Sequence, residues 1–364
     1  MISFTPNEEQ NLIIETVRRF AGERVRVAAH DADESGATPP EIIETGWELG
    51  LLPSAIPEAY GGFGDQHSAL TGVLAAEELG YGDLPIALYL LTPNLFGLPI
   101  LHCGTEEQKK HWLPKLTDAT FVPATAALIE PRWDFDPHAL STTAEREQSY
   151  YVLNGHKAYV PLAAEAQAML VYAREGGTTQ AFIVEKGASG VTVREREKHM
   201  GLRALPTYEV KLEDVRVPRE ARLGGENGIN ADLLLNYSRV TLASLAVGVA
   251  RGAFEYARDY AKQRETFGRP IAQYQTIAFM LAEMAIEIDA ARLMAWEAAW
   301  TLDQGKDASQ TAALAKQYAD EAVLFVTDRA VQVLGGHGYI REHPVERWLR
   351  NGRGFTTFLG LAMI

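Results

Sequence analysis

QVLGGHGYIREHPVERWLRN, residues 332–351, is the stretch whose reading decides the architecture of this 364-residue chain. It ends an Ala-rich amphipathic run that begins at Ala308, and its paired glycines, Gly335 and Gly336, break that run as a helix-ending turn does. A Gly-Gly-x-Gly run alone carries little, because most such runs are only helix ends. Two further stretches extend it. RETFGRPIAQYQ, residues 264–275, lies between amphipathic runs starting at Leu233 and Ile271, and HMGLRALPTYEVKLEDVRVP, residues 199–218, ends in a β-rich segment.

Outward from these, the chain divides by texture. Thr5, Pro6 and Glu8 form a helix start, with a hydroxyl cap, a proline at the first helical position and a carboxylate set to complete a capping box. Ile13, Val17 and Phe20 then recur at helical spacing, Pro39 and Pro40 lead into a helix holding Trp47 and Leu49, and residues 69–79 have helical composition. From Phe121 the texture is short β-rich runs, FVPATAAL, SYYVLNG, AMLVYA, QAFIVE and VTV, separated by Asn154-Gly155, Gly176-Gly177 and the turn from Gly187 to Gly190. After Gly224, Gly225 and Gly228 the helical pattern returns. The prediction is an α+β chain of three closely joined domains: helical over 1–120, β over 121–224 and a helical bundle over 225–364. A content of 47% hydrophobic residues supports that much core, since single cores stop growing near ~250–300 residues.

Composition excludes several functions. A formal net charge of -14, with no basic stripe, disfavours a nucleic-acid partner. One cysteine, Cys103, rules out an internal disulfide framework and a cysteine-based zinc site, and no metal site is expected. The N-terminal MISFTPNEEQ has neither a basic leader nor an apolar core, so export is not expected and a cytoplasmic location is. Residues 84–101 carry no charge, but Pro93, Gly97 and Pro99 punctuate them, which reads as buried helix and turn rather than a membrane span. REREKH, residues 194–199, reads as a solvated charged edge.

The three quoted stretches, with the β-domain before them, resemble the acyl-CoA dehydrogenase family, and the resemblance covers nearly the whole chain. It implies a helical N-terminal domain, a middle β-barrel or sandwich domain and a C-terminal four-helix bundle that assembles oligomers. It also implies FAD in a site shared across a subunit interface, the flavin ring on one subunit's middle domain and the ADP half on its neighbour's bundle. By position, Arg264 would reach the neighbour's pyrophosphate through paired hydrogen bonds. Phe267, Gln275 and Gln332 would line the rest of the ADP site, and Gly335 and Gly336 would let backbone approach the dinucleotide. Each has an ordinary structural reading as well: Arg264 a helix-end cation, Phe267 a core residue, the glycines a helix cap. In the family's order and spacing, the set favours the cofactor.

The family's reaction removes a proton alpha to the thioester and passes a hydride from the beta carbon to the flavin, so a carboxylate base is needed. Of the two positions at which the family places it, one is Leu359, before Gly360, and the other is Ser238, before Arg239. No catalytic residue is therefore assigned. The flavin-ring side departs too: Ile129 precedes Glu130 and Pro131 where a hydroxyl is common, Phe135 stands where a serine is usual, and Tyr159 and Pro161 replace a tryptophan and threonine. The sequence ends soon after Gly360.

The uneven loss suggests a non-catalytic subunit that completes a site in a heteromer, similar to the heterotetramers that act on steroid side-chain thioesters with one flavin site per heterodimer. An acyl-CoA dehydrogenase-like partner subunit, an acyl-CoA thioester and an electron-transferring flavoprotein would be its partners. Arg239, a candidate substrate contact, and Lys306 lie where relatives place cations near the thioester, Arg203 would hold the MGLR loop, and residues 84–101 would form part of the acyl wall. Two alternatives remain: a self-sufficient flavoenzyme of monooxygenase, oxidase or desulfinase type, with Trp133, Asp134 and Tyr159 in a reshaped pocket, and a flavin-free structural subunit.

Overall fold

Asn7, rather than Thr5, caps the first helix. Its side chain accepts from Gln10 N at 2.8 Å while the Gln10 side chain accepts from Asn7 N at 3.0 Å, so the capping box forms two residues later than the Thr5-Pro6 signal suggests. The computed structural model describes residues 5–364; Met1 to Phe4, part of the stretch read as lacking an export signal, lie outside the described residues.

Helix α1 (Glu8–Phe20) runs through a single π turn (Ala21–Val25) into α2 (Arg26–Ser35), and α3 (Pro40–Trp47), α4 (Leu51–Ala55), α5 (Ala69–Gly82), α6 (Leu84–Leu91), α7 (Asn94–Cys103) and α8 (Glu106–Trp112) complete the N-terminal layer. Helices α6 and α7 meet at a 43° bend beside Pro93, and nearly all of their residues are buried, as their apolar, proline-punctuated sequence implies.

Seven strands form one mixed sheet: β1 (Ala124–Ala127), β2 (Thr143–Arg146), β3 (Tyr150–Pro161), β4 (Ala168–Glu175), β5 (Thr178–Glu185), β6 (Val191–Arg196) and β7 (Thr207–Pro218). β1 and β2 lie in tandem, parallel to β4, along one edge; β5 pairs antiparallel on the other through the tight Gly176-Gly177 turn, both of whose residues have positive φ. β3 and β7 form the long antiparallel centre, with β6 outside β7. Asn154-Gly155 is not the turn its sequence suggests. It sits inside β3 at a bulge, where Asn154 Oδ1 accepts from Asp214 N at 2.8 Å and a Cβ on Gly155 would collide with Thr142.

The C-terminal part consists of α9 (Ala231–Gln263), α10 (Gln275–Asp303) and α11 (Ser309–Leu334), then the short α12 (Gly336–Tyr339) and α13 (Val345–Gly352). The short α13 packs on α9 and α11, while α5 packs along α9 and α10 from the N-terminal layer. Helix α9 is the one unbroken helix among the described residues long and apolar enough to cross a membrane, and 89% of that window is buried inside the protein. Two polar clusters lock the layers. Asp303 accepts from Ala69 N at 2.6 Å and Leu70 N at 3.0 Å, capping α5 from the end of α10. Asp33, buried in α2, pairs with Arg350 at 2.7 Å, Arg341 at 3.1 Å and Arg203 at 3.7 Å, tying the 199–203 loop to α13.

Candidate cofactor and substrate sites

One end of the bundle opens into a cleft of about 510 Å³ where the end of α9, the start of α10 and the end of α11 converge. Arg264 ends α9, its N–H closing on Tyr260 O at 2.8 Å and its side chain exposed. The chain then turns in a two-residue hairpin between β8 (Glu265–Thr266) and β9 (Arg269–Pro270). Both loop residues, Phe267 (φ 51°) and Gly268 (φ 79°), are left-handed, as this tight turn demands. Glycine accepts that conformation freely; phenylalanine is strained by it and stands 98% exposed. Tyr274 braces the hairpin by donating to Thr266 O at 2.7 Å, and Arg269 lies 4.2 Å over its ring.

Opposite, Gly335 ends α11 with φ 58° and ψ −129°, a conformation open in practice only to glycine, and the space where Cβ atoms of Gly335 and Gly336 would stand is empty. Of the six residues suggested for the ADP site, the structure gathers Arg264, Phe267, Gly335 and Gly336 around this cleft. Gln275 and Gln332 are exposed on the flanking turns, next to the lining residues Tyr274 and Val333, but do not line it. Tyr260 and His337, which do, escaped the sequence reading. Tyr260 stands one helical turn before Arg264 and His337 sits inside the Gly-Gly-His-Gly run, so both were visible by spacing. A cation, bare backbone and an aromatic wall suit a diphosphate joined to a planar ring.

The two base positions meet in space. Gly360 N donates to Ser238 Oγ at 2.9 Å, which places Leu359 beside the serine, and neither residue offers a carboxylate. Ser238, Gly360 and Met363 line an apolar cavity together with Leu95, Leu128 and Tyr172, and its free volume is about 20 Å³, room for one water molecule. Leu361, Ala362, Met363 and Ile364 are all buried nearby. Leu95 of α7 and Ser238 of α9 share this wall, so residues 84–101 do reach the cavity. Arg239 turns to Asn236 Oδ1 at 2.7 Å, and burial lowers its pKa. Lys306 is exposed, 5.2 Å from the Trp300 ring.

On the middle domain, the positions that would face a flavin ring carry few polar groups. Ile129 is buried and its carbonyl accepts from Ala158 N at 3.0 Å; Pro161 has no N–H; Tyr159, strained at φ 54°, stacks on His199 with ring centres 5.0 Å apart. Trp133 is 98% exposed, and the neighbouring Arg132 folds back to Glu130 and the Ala139 carbonyl. Asp134 is likewise exposed, 3.9 Å from Arg132 Nε. His199 and Glu197, 3.5 Å apart, are half-buried, so only part of the 194–199 run is a solvated edge.

Beneath this face lies an ion pair that the sequence did not announce. Lys157 Nζ, fully buried, is 3.1 Å from Glu130 Oε1 and 3.1 Å from the Leu128 carbonyl, and Glu130 also accepts from Ser141 N and Thr142 N, both at 2.7 Å. Burial alone would raise the Glu130 carboxyl; the Lys157 ammonium and the two amides outweigh it and hold it down at about 2. Burial lowers the Lys157 ammonium to about 8 against the pull of Glu130.

Comparison with known proteins agrees along the whole chain. Family models described as acyl-CoA dehydrogenase N-terminal, middle and C-terminal domains match residues 7–120, 125–215 and 229–362. The caffeyl-CoA reductase-Etf complex subunit CarC of Acetobacterium woodii is 38% identical over 98% of this chain and 96% of its own. The short-chain specific mitochondrial acyl-CoA dehydrogenase of Rattus norvegicus is 34% identical over 95% and 85%. Among solved structures, butyryl-CoA dehydrogenase from Megasphaera elsdenii superposes with a TM-score of 0.89 at 32% identity, over 100% of this chain and 96% of that one. An FAD complex of PigA does so at 0.90 and 26%, over 98% and 95%.

Proposed function

This chain belongs to the acyl-CoA dehydrogenase family of flavoprotein oxidoreductases, and on that premise we propose that it serves FAD-dependent α,β-dehydrogenation of an acyl-CoA thioester as the subunit without a base. An acyl-CoA dehydrogenase-like partner subunit would supply the carboxylate, in a cytoplasmic heterotetramer with one flavin per heterodimer and a bulky, steroid-like acyl group as substrate. The observation that carries this is a contrast within one chain. The bundle cleft of about 510 Å³ is open and edged by Arg264, Gly335 and Gly336, whereas the cavity lined by Ser238 and Gly360 has about 20 Å³ free and no carboxylate in its lining.

In this reading Arg264 clamps the pyrophosphate with charge-assisted hydrogen bonds, the bare backbone of Gly335 and Gly336 admits the dinucleotide closely, and Phe267 covers it from the hairpin. Gln275 and Gln332 contribute from the flanking turns. When bound, FAD supplies the hydride acceptor. Leu359 and Ser238 take no proton, and on this chain's side Arg239 is left as a substrate contact. The name of the relative CarC, a subunit of an Etf complex, supports an electron-transferring flavoprotein as acceptor.

The test is the visible absorption spectrum and native mass of the chain purified alone, and again after co-expression with a paralogue encoded beside it. Colourless protein alone and about one flavin per heterodimer with the partner is the expected result. A yellow homo-oligomer with full flavin occupancy overturns the proposal.

A further inference from the structure

Arg264 is the cleft's evident anion contact, but a second donor is held ready on the facing wall. His337 follows Gly336 directly and lines the cleft, with its Nδ1 2.7 Å from the Tyr260 hydroxyl. A neutral imidazole that accepts at Nδ1 carries its proton on Nε2, so a tyrosine donating there leaves a single N–H on the opposite edge of the ring. Nε2 has no protein partner among the described residues. The ring is also fixed from behind. His343 lies nearly parallel to it at a centroid distance of 5.4 Å, and His343 Nδ1 is in turn 2.8 Å from the Tyr256 hydroxyl. Tyr256 and Tyr260 are one turn apart on α9, so two tyrosines orient two stacked imidazoles as a unit. A histidine that only fills space does not require a hydroxyl on one edge and a second imidazole on its face at the lining of a cleft.

We propose that His337 is a second phosphate-binding residue of this cleft, its Nε2–H donating to the diphosphate opposite Arg264, and that Tyr260 is the positioning residue that sets its tautomer. The proposal rests on the cleft's taking the ADP part of a dinucleotide. It assigns the diphosphate to the Arg264 and His337 edge, and the adenosine to the aromatic and apolar wall of Phe267, Tyr274 and Ile277.

Titration of the full-length chain with ADP, and with adenosine as a ligand lacking phosphate, separates the roles. His337→Ala weakens ADP binding about tenfold to a hundredfold, the range of a lost hydrogen bond to a charged group, and leaves adenosine binding within about twofold. His337→Gln, which keeps an N–H donor of similar reach, recovers most of the loss, and Tyr260→Phe gives an intermediate loss with the same ADP selectivity. Equal loss of ADP and adenosine in His337→Ala, or no rescue by His337→Gln while thermal unfolding shows that variant folded, overturns the assignment. If Arg264→Ala abolishes ADP binding and His337→Ala leaves it intact, the cleft remains a nucleotide site and only the histidine's role falls. If the unaltered chain binds neither ligand, both fall.

Discussion

At the scale of single residues, Lys157 and Glu130 carry the most electrostatic stress. Their side chains are 0% and 3% exposed, and each is the other's buried counter-charge. Lys157→Met leaves the buried carboxyl with two amides and only the Arg132 guanidinium, 3.4 Å away, as counter-charge, and is expected to cost about 3 kcal/mol in chemical denaturation at pH 7. The pH dependence follows from the sign of the shift. Because the folded Glu130 carboxyl lies at about 2, below its unfolded value, it contributes stability that is present above the unfolded pKa and is lost as pH falls through the window towards 2. In Lys157→Met that acid-side loss should flatten, since the folded carboxyl no longer holds its proton off; an unchanged acid limb would show that the pair does not act as the geometry implies. Glu130 was quoted in the sequence only as part of a Glu-Pro pair. Nothing in the spacing of Glu130 and Lys157 reveals their contact, because it is made by the fold of β3 against the chain after β1.

Among elements, the crossing of α5 with α9 is the most constrained. A Cβ on Gly248 would collide with the Glu77 carbonyl and one on Gly80 with Leu245, so the two backbones touch through their glycines. Gly248→Ala gains about 1 kcal/mol in helix propensity, yet forces these helices apart. We expect a net loss of about 2 kcal/mol or more, read as a lowered midpoint in thermal or urea unfolding. Elements of this kind were legible where one local signal decides: the Gly176-Gly177 hairpin, the proline-led α3, and the charge-free α6 and α7 pair. They were misread where a second, distant partner decides. Asn154-Gly155 looks like a turn, but Asp214 of β7 and Thr142, just before β2, hold it as a bulge, and Thr143 to Arg146 became β2 by pairing with β3 and β4 rather than by its own composition. The cleft was half-legible for the same reason. Arg264 and the glycines announce themselves by motif, whereas Tyr260 and His337 matter through a contact between two helices far apart in sequence.

For the whole molecule, the proposed shared site makes a sharp demand: a residue on this chain should control a cofactor whose ring another chain would hold. In the co-expressed complex, Arg264→Ala is expected to lower flavin affinity about tenfold or more while native mass and unfolding temperature stay near those of the unaltered complex, because the side chain is exposed and ends a helix without packing. Unchanged flavin content after dilution and dialysis would count against the clamp. The filled space at Leu359 and Ser238 was not legible in advance. Sequence gave the loss of a carboxylate, but only the packing of residues 361–364 against helices more than a hundred positions away reveals how little volume is left.

The hydrogen bond from Gly360 N–H to Ser238 Oγ joins two positions more than a hundred residues apart. Glutamate at 238 removes the acceptor that Gly360 uses and puts a charge into an apolar space of about 20 Å³, and Gly360 directly follows 359. A substitution at 238 is thus felt at the backbone that carries 359. The two positions therefore act as one unit: substitutions at 238 and 359 are expected to be non-additive in a double-mutant cycle of unfolding free energies.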